Sequence, residues 1–311
     1  MIKHVEKPVV SQEQSLPAAV TVVFETNENS LAQFAGRLEH TVKTAGKESF
    51  VAFAKRSLLE LTNVKFALAS FVVNNLRRRY RRSVLGFAWS LLNPLLMMCV
   101  MTFVFSMLFK QGPKAFGFYV FTGLLPWSFF CDSVLNGSGS ITGAESFLKK
   151  VYIPKMFFPL VTVSTEGANF VFSMTALLML AVICGVQVPW TIVCVVPAFA
   201  LLFVFSLSLA IFFAIATVYF RDLAHILRVF LSALFYTVPV IYPMSLIPDS
   251  FKPIYLLNPM GRFIDLFRLS LVDGVVPSLD AWLVPAATTA IAFCLALYTL
   301  KRTERDLIFR L

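Results

Sequence analysis

Seven stretches of the chain run without a single Asp, Glu, Lys or Arg: residues 83–109, 115–131, 133–144, 156–165, 167–220, 229–248 and 281–300. A helix needs about 20 predominantly apolar residues to cross the hydrocarbon of a bilayer, and several of these runs reach that length. Asp132 and Glu166 merely interrupt longer runs, whereas 167–220 is too long for one crossing and carries turn signals at Gly185 and at Pro189–Trp190. The pattern predicts six spans, near 88–109, 118–140, 157–184, 190–218, 227–243 and 281–300. These runs are continuous, not alternating in ten-residue pieces, which argues against a transmembrane β-barrel. The expected fold is an all-α polytopic membrane protein.

Composition agrees and excludes the alternatives. Hydrophobic residues make up 58% of the 311 and charged residues 14%, against about 25% charged in soluble domains. With a mean hydropathy of +0.77, the chain could not cover a globular surface of its own. An ordinary soluble enzyme and a disordered chain are both ruled out.

Orientation follows from Lys and Arg, which favour cytoplasmic loops. With the amino terminus inside, the inner segments 55–82, 141–156, 221–228 and 301–311 hold 17 basic residues, while the outer segments 110–117, 185–189 and 244–280 hold 5. Both termini are therefore expected in the cytoplasm. The net charge of +10 is largely this topology signal, and nucleic acid is not an expected partner. The opening MIKHVEKPVV lacks the apolar core of a signal peptide, so no cleavage is expected.

Three regions precede or interrupt the spans. Residues 1–57 read as a cytoplasmic extension of mixed charge, in which Leu31, Phe34, Leu38 and Val42 would share one helical face after Ser30. It is either a free extension or a docking arm. Residues 58–82 carry Leu61, Val64, Leu68, Phe71 and Leu76 at helical spacing, with Asn63, Ser70, Asn74, Arg77 and Arg81 on another face. An amphipathic helix is predicted there, in the cytoplasmic interface, with the run Arg77–Arg82 at phosphate level. It is either a positive-inside anchor or a binding element. Residues 83–311 form the membrane domain. Within them, 244–280 holds Pro248, Pro253, Pro259 and Pro277 and an amphipathic stretch 261–271. Phe263, Ile264, Phe267 and Leu271 give that stretch an apolar face, and Arg262, Asp265 and Arg268 can pair at i,i+3. It is too short to cross, so an outer re-entrant helical hairpin between spans 5 and 6 is expected, buried against protein or a water-filled cavity.

Several chemical motifs fail. Thr44-Ala45-Gly46-Lys47-Glu48-Ser49 superficially looks like a phosphate-binding loop, but Thr41 stands where its first glycine belongs and Glu48 would repel phosphate. His4, His40 and His225 are scattered, and the five cysteines (Cys99, Cys131, Cys184, Cys194, Cys294) form no close pair. They read as small buried hydrophobes, with no metal site or disulfide framework. Gly137-Ser138-Gly139-Ser140 reads as a close-packing surface between helices. Asp132 and Glu166, as intramembrane acids, are functional candidates: a proton relay, groups facing an aqueous path, or pairs between helices. No catalytic residues are expected. Phe87, Trp89, Phe103, Phe235, Tyr236 and Tyr242 could line a path along which sugar C–H faces stack, although ordinary packing uses the same residues.

Four stretches together resemble the membrane subunits of ABC-2-type polysaccharide exporters. The most specific is Arg79-Tyr80-Arg81-Arg82-Ser83-Val84-Leu85-Gly86-Phe87-Ala88-Trp89-Ser90-Leu91-Leu92-Asn93-Pro94, similar to that family's passage from interface helix to first span. Phe147-Leu148-Lys149-Lys150-Val151-Tyr152-Ile153-Pro154-Lys155 resembles the loop after the second span, and Tyr219-Phe220-Arg221-Asp222-Leu223 the approach to the fifth. Leu257-Asn258-Pro259-Met260, with Phe263 and Leu266-Phe267-Arg268, is similar to the outer hairpin. The resemblance covers roughly 60–311; the extension before it is longer than usual, and Glu166 is atypical for its span.

The resemblance implies a permease working as a homodimer with two copies of a separate ATPase subunit. It would export a lipid-linked polysaccharide, O-antigen foremost, with capsule or teichoic acid as alternatives, across the cytoplasmic (inner) membrane. No cofactor belongs to this chain; ATP and Mg would be bound by the partner. Glu145, Lys149 and Lys150 would contact that ATPase. Arg77, Arg78, Arg79, Arg81 and Arg82 would hold the pyrophosphate of the lipid carrier, since the arginine fork suits phosphate oxygens. A proton-coupled secondary transporter using Asp132 and Glu166 is the competing class.

Overall fold

A computed structural model of the chain describes residues 49–79, 113–148, 153–183, 185–242 and 258–303, with isolated positions at 83, between 88 and 104, at 250 and at 307. The regular elements among the described residues are all helices, with no strand among them. The extension before 49, including Leu31 to Val42, lies outside them, as does most of the predicted first span.

The chain enters through two helices, α1 (Phe50–Asn63) and α2 (Lys65–Arg79). Ser49 caps α1, its hydroxyl accepting from the Ala52 N–H at 3.2 Å. Helix therefore starts at Phe50 instead of 58, and breaks at Val64. The break follows Thr62–Asn63, both weak helix formers, where the Thr62 hydroxyl donates to the Leu59 carbonyl at 2.7 Å. The predicted apolar face is the one that packs: Leu61, Val64, Leu68 and Phe71 are all partly buried against the bundle.

Among the described residues, four helices are long and apolar enough to cross a membrane. These are α3 (Pro113–Ser138), α6 (Phe157–Ile183), α7 (Val195–Tyr219, extended backwards by a 3-10 turn from Trp190) and α10 (Leu279–Thr303). Short helices α4 (Ser140–Gly143) and α5 (Glu145–Leu148) link α3 to α6. The turn expected at Gly185 is present: this residue has φ +72°, and the Val186 N–H reaches the Ala181 carbonyl at 2.8 Å. Glycine tolerates that left-handed backbone without a Cβ penalty.

The predicted fifth span behaves differently. Its apolar run yields α8 (Leu223–Phe235), only 13 residues, after which the backbone leaves the helix through 236–242. Pro239 explains the stop, because it lacks an N–H and disfavours helix at the residue before it. A second 13-residue helix, α9 (Pro259–Leu271), is capped by Asn258, whose side chain accepts from the Met260 N–H at 3.1 Å. It rises about 20 Å, short of a crossing. Phe263, Ile264, Leu266 and Phe267 are fully buried, and α9 packs among α3, α7 and α10, against protein as its amphipathic pattern requires.

The core is divided. One cluster, around α9, gathers Phe121, Phe129, Phe130, Phe170, Leu202, Phe263 and Phe267. The other gathers Phe53, Ile141, Leu148, Phe157, Ile211, Ile215, Leu297 and Leu300, with α1 and α2 laid against it. Leu207 touches both. Small residues bring α3 and α7 together, as expected: a Cβ at Gly137 would stand 2.6 Å from that of Ala210, whereas one at Gly139 would meet open space.

Candidate functional site

A buried carboxylate occupies the level between the two cores. Glu166 on α6 is 7% exposed. It accepts from Asn136 Nδ2 of α3 at 3.0 Å, from Asn169 Nδ2 one turn along α6 at 2.8 Å, and from Arg79 Nη1 at 3.4 Å. Arg79 is the last residue of α2, 87 positions away in sequence. Its side chain is 50% exposed, against 9% for that of Glu166. One contact thus ties the end of the predicted interface helix to two membrane helices. Asp132 is exposed one turn before Asn136, near enough to feel both charges.

Arg77 and Arg78 are also exposed at the end of α2, so three of the five predicted phosphate-binding arginines are grouped there. Arg81 and Arg82 lie outside the described residues. Of the predicted ATPase contacts, Glu145 is half-buried on α5, while Lys149 and Lys150 lie outside the described residues. Phe71 packs edge-on against Phe147 of α5 at 6.1 Å and against Phe157 of α6 at 5.4 Å. The interface helix therefore shares one core with α4, α5 and the start of α6.

The residues of the predicted glycan path are placed as follows. Trp89 and Phe103 are exposed, and Phe87 lies outside the described residues. Phe235 packs 5.6 Å from the buried Trp127 and 5.5 Å from Tyr236. Tyr236 is exposed, and the Tyr242 hydroxyl donates to its carbonyl at 2.9 Å. Among the described residues no group of three His, Cys, Asp or Glu could hold a metal. Cys99 and Cys294 are exposed on the chain instead of buried, because each helix presents an apolar outer face on which cysteine is as much at home as inside.

A second polar centre, not foreseen in the sequence, forms at the α9 end. Arg268, 7% exposed, donates from Nη1 to the Pro239 carbonyl at 2.6 Å and from Nη2 to the Val240 carbonyl at 2.7 Å. Its guanidinium also stacks 3.9 Å from the centre of the Tyr119 ring. Both carbonyls belong to the non-helical stretch 236–242 that follows α8, and one arginine supplies a donor to each. Gly123 leaves room for it: a Cβ there would stand 2.9 Å from Nη2. Burial pulls the Arg268 pKa down, and Tyr119, Asp265 and Asp273 push it back up; a guanidinium keeps its proton throughout. Arg262 and Asp265 make the expected i,i+3 pair at 4.0 Å. Together with Asp273 and Tyr119 they border a cavity of about 300 Å³.

Comparison with known proteins fits this geometry. The family model described as ABC-2 type transporter matches residues 67–272. The chain is 34% identical to the O-antigen export system permease protein RfbA of Myxococcus xanthus over 238 residues, 76% of this chain and 92% of that protein. It is 28% identical to a Klebsiella pneumoniae protein of the same name over 213 residues, 68% of this chain and 82% of that one. The polysialic acid transport protein KpsM of Escherichia coli is 19% identical over 215 residues, 68% and 83% of the two chains.

Proposed function

The chain belongs to the ABC-2 type transporter family, and from that premise we propose that it is the permease subunit of an ABC transporter that exports O-antigen. The observation that carries this reading is the 34% identity to an O-antigen export permease over 92% of that protein's length. As a multi-pass membrane subunit it moves its cargo with energy from a separate ATPase, which binds ATP and Mg. The membrane is the cytoplasmic (inner) one, with both termini in the cytoplasm, an orientation that the excess of basic residues in the inner segments supports.

The complex is a homodimer of permeases with two ATPase copies. Each permease has six spans, the first within 88–109 and the fifth built from α8 with its broken continuation, together with α1–α2 in the interface and α9 as a re-entrant helix. Glu145, Lys149 and Lys150 meet the ATPase. The shared core of α1, α2, α4, α5 and the start of α6 supports this, since a push on one is felt by the others.

The cargo is a polysaccharide on a lipid carrier. Arg77, Arg78, Arg79, Arg81 and Arg82 attract its pyrophosphate, and the exposure of the first three supports the role. Phe87, Trp89, Phe103, Phe235, Tyr236 and Tyr242 give the glycan a sliding surface. A proton relay through Glu166 is disfavoured, since two amides and a guanidinium already hold its carboxylate.

Depletion of the protein, with mass spectrometry of lipid-linked and surface glycans, tests the reading. Finished lipid-linked chains should accumulate inside and disappear from the surface, and the stored glycan identifies the cargo, whether O-antigen, capsule or teichoic acid. Normal glycan on both sides would remove the polysaccharide reading.

A further inference from the structure

We infer that Arg79 and Glu166 form a substrate-released latch, in which the pyrophosphate of the lipid carrier competes with the Glu166 carboxylate for the Arg79 guanidinium and so frees the interface helix from the membrane helices. The inference rests on the pyrophosphate-binding reading of the α2 arginines.

Three observations carry it. First, the two partners are unequal in exposure. Glu166 is locked inside the bundle, whereas half of the Arg79 side chain faces outward beside the exposed Arg77 and Arg78. A phosphate gathered by those two neighbours therefore has open access to the third. Second, Arg79 makes the longest of the three contacts to Glu166, at 3.4 Å against 2.8 and 3.0 Å for the two amides. At that length the bond is weaker than a charge-assisted contact of about 2.7–2.9 Å. A pyrophosphate, with more charge and more oxygens, is the better partner for a planar fork.

Third, the carboxylate is provided for after Arg79 leaves. A buried charge stripped of its partner is strongly destabilising, and a lone Glu–Arg pair here would be very costly to open. Asn136 and Asn169 each keep an N–H on the carboxylate, from α3 and α6. Glu166 therefore has a satisfied state without Arg79, as a two-position contact requires. With the latch closed, the end of α2 is held to α3 and α6. With it open, α2 keeps its apolar packing against the core that holds Phe157 and Leu300 and can follow the ATPase. The effect is to make energy use depend on a loaded carrier.

The test uses the complete permease–ATPase complex in nanodiscs, with a polyprenyl pyrophosphate as probe and the uncharged polyprenol as control. ATPase rate is followed against probe concentration. Glu166→Gln should raise the rate without probe several-fold and lower the half-saturating pyrophosphate concentration about tenfold, with no response to polyprenol. Arg79→Gln should also raise the unstimulated rate but weaken pyrophosphate stimulation. The exchange Arg79→Glu with Glu166→Arg should restore a low unstimulated rate while leaving stimulation weak, and it serves where the single Glu166 variant fails to assemble. If the wild-type complex ignores the pyrophosphate, the arginine site is wrong and the latch falls with it. If the wild type responds and Arg77→Gln with Arg78→Gln abolishes that response, but Glu166→Gln changes neither rate nor half-saturation, the site stands and the latch alone is overturned.

Discussion

Replacing Arg268 by methionine removes the donors that close the broken end of α8. Two buried carbonyls, at Pro239 and Val240, lose partners at 2.6 and 2.7 Å. Each orphaned buried acceptor costs about 1–3 kcal/mol, and the cation stacked on Tyr119 contributes about 1 kcal/mol more. Methionine returns part of this, since its flexible chain fills the space and no charge remains to be desolvated. The balance is a loss of about 3 kcal/mol, on the order of 100-fold in the equilibrium between packed and opened hairpin. At about 2–4 °C per kcal/mol for a chain of this size, thermal unfolding of the purified complex should fall by about 6–12 °C. Hydrogen exchange should localise the damage to 236–242 and α9, with α1 and α2 unaffected. Arg268→Lys should fall between, since one ammonium cannot span both carbonyls and stack as well. Tyr119→Phe should be nearly silent and Tyr119→Leu should cost about 1 kcal/mol. A Tm for Arg268→Met within about 2 °C of wild type, with unchanged exchange, would refute the reasoning: water or backbone adjustment would then be satisfying those carbonyls.

Gly137→Ala should destabilise by about 1–2 kcal/mol, since overpacking costs about 1–3 kcal/mol and helix propensity returns up to about 1; its methyl would stand 2.6 Å from the Ala210 Cβ. Gly139→Ala, which meets open space at a negative φ, should change unfolding by less than about 0.5 kcal/mol, so the pair is compared in the same thermal assay. Thr191→Val should cost about 1–2 kcal/mol, because the Thr191 hydroxyl donates to the buried Ser270 carbonyl at 2.6 Å and ties the start of α7 to α9. Its signature is faster exchange at the end of α9.

Elements carried by local pattern were legible in the sequence. The predicted spans at 118–140, 157–184, 190–218 and 281–300 all yield long helices, and Gly185 turns where it was expected to. The apolar positions Phe263, Ile264, Phe267 and Leu271, spaced three and four apart, are all buried. What local pattern cannot carry is a partner from far along the chain. The run 227–243 has a span's length and hydropathy, yet α8 stops at Phe235, and the guanidinium that makes the stop tolerable comes from residue 268. Arg79 reads as one arginine of a basic cluster until Glu166, 87 residues on, is folded against it. The start of α1 at Phe50 is less legible for a simpler reason: its cap is a lone serine, and the regular apolar spacing begins only at Leu61.

The division of the core bears on how such a permease can diversify. Substitutions in separate neighbourhoods add almost independently, whereas those in contact do not. Phe129, Phe170 and Phe267 share one neighbourhood, Phe53, Phe157 and Leu300 the other, with Leu207 between them. A lineage can therefore substitute residues in the half around α9 with little effect on the packing of the half around α1 and α2. Leu207 in this sense marks a boundary between two neighbourhoods free to vary separately.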